Sequence, residues 1–462
     1  MIAVRVRLLD VPLERDEGEY AYAGQLLLQG VPPYAAVYSM KAPGIYGAYA
    51  AVMAVAGQTP RGVHLGLLAS NFFSMLGLFV LGRRVAGPVA GAVAGASYGL
   101  MALSASVLGF AAHATQFVVP FVALGLLLLT GSRFVLAGTF FAVACLMKQH
   151  AAPFVLFAIV WLAVDRWRRL GLPRFLAGFA VPILIVWAAL ALAGVFPRYW
   201  FWNVTYAFRY ATSVSWGEGL GSLAAHLGMM WTLTGFAVLA AFGLKHRFLA
   251  GLLAASFLAV VPGFYFRSHY FVQILPAVAL LAGAGAAALE SRFGAGAATA
   301  AVLLPAALVL GGEGSYLFRE SPVEISHRHY PGCPFVESAA ISDYLTAHTQ
   351  EGDRIAVLGS EPQIYFLSRR RGTTGYVYMY GLMEEQPHAL DMQHELAAEV
   401  ESGAPRLIVW CHVRSSWLQQ RGSPTFIFDW ARGFLSDRYE RVQDFPIPPD
   451  GDVDRVEIYR KK

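Results

Sequence analysis

The feature that most constrains this chain is the length of its uncharged apolar runs. LGLLASNFFSMLGLFVLG at 65–82, GPVAGAVAGASYGLMALSASVLG at 87–109 and FLAGFAVPILIVWAALALAGVF at 175–196 meet the ~20 residues that a bilayer core asks of a spanning helix. The charges are distributed to match. Residues 1–312 carry 27 charged side chains, eight of them acidic, and the 150 residues from Glu313 onward carry the other 38. The first two thirds is therefore built for lipid and the last third for water. The net charge of +5 does not signal nucleic-acid binding, because the basic residues are spread between apolar runs rather than gathered in one patch. Cys145, Cys333 and Cys411 lack metal-ligand spacing, so neither metal nor disulfide follows from them. The first residues lack the apolar core of a signal peptide, and no cleavage is expected.

Apolar runs predict ten spans, at 62–82, 86–108, 113–131, 133–148, 150–164, 174–195, 222–243, 247–266, 270–288 and 294–311. An eleventh run, PGIYGAYAAVMAVAG at 43–57, is short and interrupted by glycine, which suits a helix lying in the interface. With that assignment one set of loops collects Arg83, Arg84, Arg133, Arg166, Arg168, Arg169, Arg174, Lys245, Arg247 and Arg292. The positive-inside rule makes those loops cytoplasmic. Residues 1–60, the tips at His113, MKQH and FRSHY, the loop 196–221 and the polar C-terminal region then share the outer face.

One stretch on that face stands out: LERDEGEYAYAG, residues 13–24, places Glu14, Asp16, Glu17 and Glu19 in a region otherwise poor in acid. Cations and other polar residues from distant segments join it, namely Lys41, Arg61, His113, Gln116, Lys148, Arg209, Arg267, His269 and Gln273. Acids in one loop and cations at several helix tips suit a site where a phosphate is held by Lys and Arg while a carboxylate moves a proton. Plainer roles are open for each residue. Asp16 and Glu19 have the i, i+3 spacing of a capping box, Lys148 and Arg267 the position of interfacial snorkellers, and the histidines that of ordinary helix-end partners. Tyr20, Tyr22, Tyr34, Tyr38, Trp200 and Trp202 read as an interfacial aromatic belt. Glu14 gains no role.

As an ordered set, RDEGEYAYAGQLLLQGVPPYAAVYSMKAPGIYGAYAAVMAVAG, GRRVAGPVAGAVAGASYGL, LGFAAHATQFVV, CLMKQHAAPF and RSHYFVQILPAVAL resemble bacterial members of the protein O-mannosyltransferase and aminoarabinose transferase superfamily, over roughly residues 13–290. The resemblance implies a C-type glycosyltransferase fold, written GT-C. It implies an all-helical membrane domain that takes a sugar from a polyprenyl-phosphate donor on the outer face of a bacterial inner membrane. By motif it places the catalytic base at Asp16, with Glu17 beside it. Lys41, Lys148 and Arg267 are then expected on the donor phosphate, and His113, Gln116, His269 and Arg209 on the substrates. Two departures accompany it. Relatives carry a transmembrane helix before the acidic loop, which MIAVRVRLLDVPLE is too short and too charged to supply, so either the frame starts upstream or the helix is lost. Some relatives also place an acid where His113 and Gln116 stand, so their acid and metal roles do not transfer directly. No cofactor is predicted, and a divalent metal is left open.

From about Pro322 the pattern becomes that of a small α/β domain, giving the division 1–60 acidic loop with juxtamembrane helices, 61–312 membrane domain and 322–462 extracytoplasmic domain. FVESAAISDYLTAHT, EPQIYFLS and HALDMQHELAAEVES read as helices, and DRIAVLG and RLIVWCH as strands. GSEP reads as Ser360 capping a helix with Pro362 in its first turn, and no glycine-rich phosphate loop is present. The expected activity is inverting hexosyl or pentosyl transfer to a lipid, glycan or protein acceptor. Arg198 and Arg209, in the aromatic loop, are candidates to close over the donor. The rival reading is a transporter or lipid flippase. It would favour charges midway along spans and an internal repeat.

Overall fold

The structure, a computed structural model, describes every residue but position 452. Each of the ten predicted runs carries a helix, but by length and apolarity three can cross a membrane: Pro60–Ala86, Arg168–Leu192 and Ala295–Gly312. Trp216–Met229 and Trp231–Ala241, bent by 61°, make a fourth if they form one broken span. Of the ten full spans expected, three, or four with the bent pair, are thus met by continuous apolar helices of that length among the described residues. Pro88–Met101, Phe134–Met147 and Arg247–Val260 have 14 residues each. At ~1.5 Å per residue such helices fall well short of a ~30 Å core. Turns and 3₁₀ segments that hydropathy alone does not register, such as Ala105–Val107 and Ser268–Gln273, take up the remaining apolar residues. Pro43–Ala56 has 14 residues and packs against the helix Arg15–Leu28, in keeping with a helix that does not span.

The charged start is put to structural use. Ile2–Arg7 forms one short helix. The buried Arg5 guanidinium donates to the carbonyls of Ala102 and Gly109, and Arg7 donates to those of Tyr316, Leu317 and Glu320. Two arginines thereby tie the loop after one helix to the exit from the last long one.

The acidic stretch becomes the helix Arg15–Leu28, almost wholly buried along its first three turns. Glu14, not Asp16, is its N-cap. Its carboxylate accepts from the Glu17 backbone N–H at 2.8 Å, and the Glu17 carboxylate accepts from the Glu14 N–H at 3.1 Å. This reciprocal capping box satisfies two orphan donors and puts negative charge at the positive helix end. The predicted Asp16–Glu19 box is corrected accordingly, and both carboxylates are released for other work.

The C-terminal region is the expected α/β unit. Its five-stranded sheet has the order β2-β1-β3-β5-β4, with β1 Arg354–Leu358, β2 Arg371–Gly372, β3 Leu407–His412, β4 Tyr439–Pro446 and β5 Arg455–Lys461. β1 and β3 are parallel and buried on both faces, as their unbroken apolar runs require, while β5 adds antiparallel to β3 and β4 to β5. The helices Ser338–His348, Pro362–Ser368 and Ala389–Gly403 match the predicted ones. Ser360 is not a cap, however. Glu361 precedes the helix, and the Ser360 hydroxyl accepts from the Met379 N–H at 2.7 Å.

This unit is seated directly on the acidic helix. A Cβ on Gly18 would lie 2.5 Å from the Gln363 backbone nitrogen, so only glycine lets the two helices approach. Three residues before Gly18, Arg15 pairs with Glu361 at 2.5 Å; both side chains are buried. Gln363 and Ser416 donate to the same Glu361 carboxylate. A charge pair taken this far from water persists only with such added hydrogen bonds. The acidic helix is thereby held between the membrane helices and the sheet domain.

Candidate functional site

Asp16 is the second residue of the acidic helix, where its capped start and its packing on the C-terminal unit fix its direction. Its Oδ1 accepts from Lys41 Nζ at 2.9 Å and from the Tyr378 hydroxyl at 2.9 Å. Burial opposes its charge, but Lys41 and then His113 outweigh that and hold the carboxyl well below the usual carboxylate range. Lys41 answers in kind: burial would lower it, and Asp16 and Glu19 raise it above the ordinary lysine value. Asp16 is therefore a buried carboxylate whose partners favour its ionised form.

Lys41, Lys148, Arg267 and His269 line the same cavity as Asp16, roofed by Tyr378, Tyr380 and Glu384 of the C-terminal unit. Arg267 donates to the Tyr210 hydroxyl at 3.0 Å, and the Lys148 ammonium sits 4.3 Å above the Tyr270 ring. Neither cation has a carboxylate in salt-bridge contact among the described residues. Two half-buried basic side chains facing one cavity without an acid of their own leave room for an anionic ligand. Lys41, Lys148 and Tyr270 also line an adjoining chamber of about 370 Å³, walled by Met147, Val204, Phe208 and Pro262. A polar, cation-rich cavity thus shares Lys41, Lys148 and Tyr270 as wall residues with an apolar one.

The other residues singled out in the sequence divide. His113 reaches the site, with Nδ1 3.8 Å from Asp16 Oδ2 and 3.5 Å from Glu14 Oε1. Glu17 does not face the cavity; it is held by His64 Nε2 at 3.0 Å and the Ala112 N–H at 2.6 Å, and it latches the acidic helix to the helices beneath. Gln116 lies away from the cavity, near Asn71, whose amide donates to it at 3.4 Å. Arg209 lines a separate polar cavity, and Arg198 pairs with Glu395 at 3.2 Å on the flank of the C-terminal unit. Glu19 lines the cavity and accepts from the Tyr46 hydroxyl at 2.7 Å. Tyr378, Tyr380 and Glu384 were missed, because a tyrosine-rich segment, YVYMYG, reads as ordinary sheet-domain sequence until the domain is docked.

A metal candidate emerges that spacing could not give. Asp16, His113 and His269 bring one carboxylate oxygen and two imidazole nitrogens within 4.8 Å of one another, all buried. Both ring nitrogens of His113 are buried without a hydrogen-bond partner among the described residues. Two nitrogens and an oxygen suit a borderline divalent cation such as zinc. The two rings are stacked at 4.0 Å, and ring lone pairs lie in the ring planes, so one imidazole turns before both face a single ion.

No family model and no curated relative matches the sequence. Solved structures do match. The chain is similar to ArnT from Cupriavidus metallidurans bound to undecaprenyl phosphate, with 16% identity and a TM-score of 0.66, over 99% of this chain and 96% of that one. It is likewise similar to the same protein in the apo state, with 16% identity, a TM-score of 0.63 and the same coverage. The fold implied by the acidic-loop motifs is thus the fold found, along nearly the whole length of both chains.

Proposed function

We propose that this chain is a membrane glycosyltransferase that moves a sugar from a polyprenyl-phosphate donor to an acceptor hydroxyl on the outer face of the membrane. The observation that carries the proposal is the buried Asp16 carboxylate, paired with Lys41, in a cation-lined cavity that shares walls with an apolar chamber. Sequence motifs and fold similarity support it. The chamber suits the first isoprene units of the donor, and Lys148 and Arg267 the phosphate. Asp16 takes the proton from the acceptor hydroxyl, whose oxygen attacks the anomeric carbon. The carbon–oxygen bond to phosphate breaks, and the polyprenyl phosphate departs with the bonding electrons, its charge met by the fixed cations. Attack opposite the leaving group inverts the anomeric centre. Asp16, His113 and His269 would hold a divalent cation, which when bound supplies positive charge beside the reacting centre. The C-terminal unit lies on the outer side together with the site.

The test uses purified full-length protein in nanodiscs with radiolabelled polyprenyl-phosphate sugars and host membrane extract as acceptor source. Label should leave the lipid only in the presence of acceptor. Label that stays on the lipid, but crosses the bilayer when the same protein is sealed into proteoliposomes, would instead establish the flippase reading.

A further inference from the structure

A cavity of about 420 Å³ lies where a spanning helix comes to its end. The span Arg168–Leu192 stops in a Schellman motif: Gly194 takes a φ of 72°, its N–H donates to the Ala191 carbonyl at 3.0 Å, and the Val195 N–H donates to the Leu190 carbonyl at 3.0 Å. Leu192, in the last turn, is 91% exposed, a side chain for lipid rather than water. The residues that follow therefore stand at the level of lipid headgroups. Gly194, Pro197, Arg198 and Phe201 form one side of the cavity. The helix Ala389–Gly403 forms the other, with His388, Asp391 and Glu395 at i, i+3 and i+7 on one face.

The two sides carry opposite charges that are only partly matched. The Arg198 guanidinium sits 3.8 Å from the centre of the Tyr38 ring, and its Nη2 donates to Glu395 Oε1 at 3.2 Å. Its other N–H groups have no partner among the described residues. The second Glu395 oxygen is taken by the Tyr376 hydroxyl. Asp391, one turn earlier, enters no ion pair or side-chain hydrogen bond among the described residues. The cavity thus offers free guanidinium donors on one side and a free carboxylate on the other, beside the apolar surface of Gly194, Pro197 and Phe201.

A ligand that answers all three carries an anion, a cation able to donate hydrogen bonds, and a hydrocarbon tail. A phosphatidylethanolamine has that set. A choline headgroup fits less well, because its trimethylammonium cannot donate to Asp391 and Arg198 already covers the Tyr38 face that would hold it. A glycerol headgroup has no cation to set against Asp391. We infer that this cavity binds a phosphoethanolamine headgroup borne by a membrane phospholipid, with its phosphate on Arg198 and its ammonium on Asp391. A headgroup held there bridges the aromatic loop and the C-terminal unit, and so ties the seating of that unit to the membrane. The inference does not depend on the glycosyltransferase reading.

The experiment is native mass spectrometry of the full chain released from nanodiscs containing equal parts of phosphatidylethanolamine, phosphatidylcholine and phosphatidylglycerol. The wild type should retain phosphatidylethanolamine in preference to the other two. Arg198→Met and Asp391→Asn should each lower that retention by about tenfold, the size of one charge-assisted contact. Arg432→Met, which removes an exposed cation elsewhere on the C-terminal unit, should leave it unchanged. Asp391→Asn breaks no side-chain contact within the protein, so it decides the matter even if Arg198→Met proves unstable in thermal melts. Soluble glycerophosphoethanolamine, the same headgroup without acyl chains, should not displace the lipid at equal concentration. The inference is overturned if the wild type retains the three lipids alike or favours another, if Asp391→Asn retains phosphatidylethanolamine as the wild type does, or if the soluble headgroup displaces it.

Discussion

Tyr378→Phe isolates what the C-terminal unit gives to the site. The substitution deletes one hydroxyl whose hydrogen lies on Asp16 Oδ1 at 2.9 Å and leaves the ring, its packing and the Lys41 pair in place. A hydrogen bond to a charged group contributes ~1.5–3 kcal/mol, which at 1.36 kcal/mol per pKa unit is about one to two units. The sign is set by which form the bond favours. The hydroxyl stabilises the carboxylate, and the Asp16 carboxyl lies well below the ordinary aspartate value of 3.8. Losing the donor therefore raises that pKa. The acid limb of the pH–rate profile for sugar transfer should move upward by about one to two units, and the protein should lose stability at a higher pH on acidification than the wild type does. Rates well above the limb should change less, because Lys41 still holds the carboxylate in position. An acid limb that does not move would refute the placement of Tyr378 on the base, and with it the role of the C-terminal unit in completing the site.

Three further outcomes follow from other contacts. Arg15→Met strips the buried Glu361 of its cation and should cost ~3–5 kcal/mol, read as lowered thermal stability in detergent, with part recovered in Arg15→Met/Glu361→Gln; equal losses in single and double variants would argue against a coupled pair. Burial first, then Asp16 and Glu17, against the pull of His113, push the Glu14 carboxyl from 4.5 up to about 7, so the native state holds a proton that the unfolded chain has lost, and stability should fall as pH rises from about 4.5 to 7. Glu14→Gln, which keeps a capping oxygen, should flatten that slope in thermal melts across the range. Lys148→Ala should weaken undecaprenyl-phosphate binding by about tenfold or more, as removal of a charge-assisted contact does; unchanged binding would return Lys148 to a snorkelling role.

How much of this was legible beforehand depended on whether the signal is local. The helices Pro362–Ser368 and Ala389–Gly403 and the buried strands β1 and β3 carry clean periodic or apolar patterns, and they were found where expected. β4, reading YERVQDFP, is an edge strand largely exposed along its length, so no apolar alternation marked it. The converging tips at Asp16, Lys41, Lys148, Arg267 and His269 were also visible, because buried-type segments rarely carry charge without a purpose. The capping box was misassigned by two residues because glutamate is an unusual N-cap, and Asp16 fits the common preference better. Tyr378 and Glu384 could not have been read at all: their place in the site comes from docking one domain on another across more than three hundred residues of sequence. The span lengths were less legible for a different reason, since hydropathy counts apolar residues whether they are coiled into one long helix or broken by turns.

The central claim is that Asp16 is the base, and Asp16→Asn tests it with little change of shape. In nanodiscs the variant should insert and retain stabilisation by undecaprenyl phosphate, while sugar transfer from a polyprenyl-phosphate donor falls by at least ~100-fold, the lower end for loss of a general base. Transfer by the asparagine variant at a rate near that of the wild type would contradict the account.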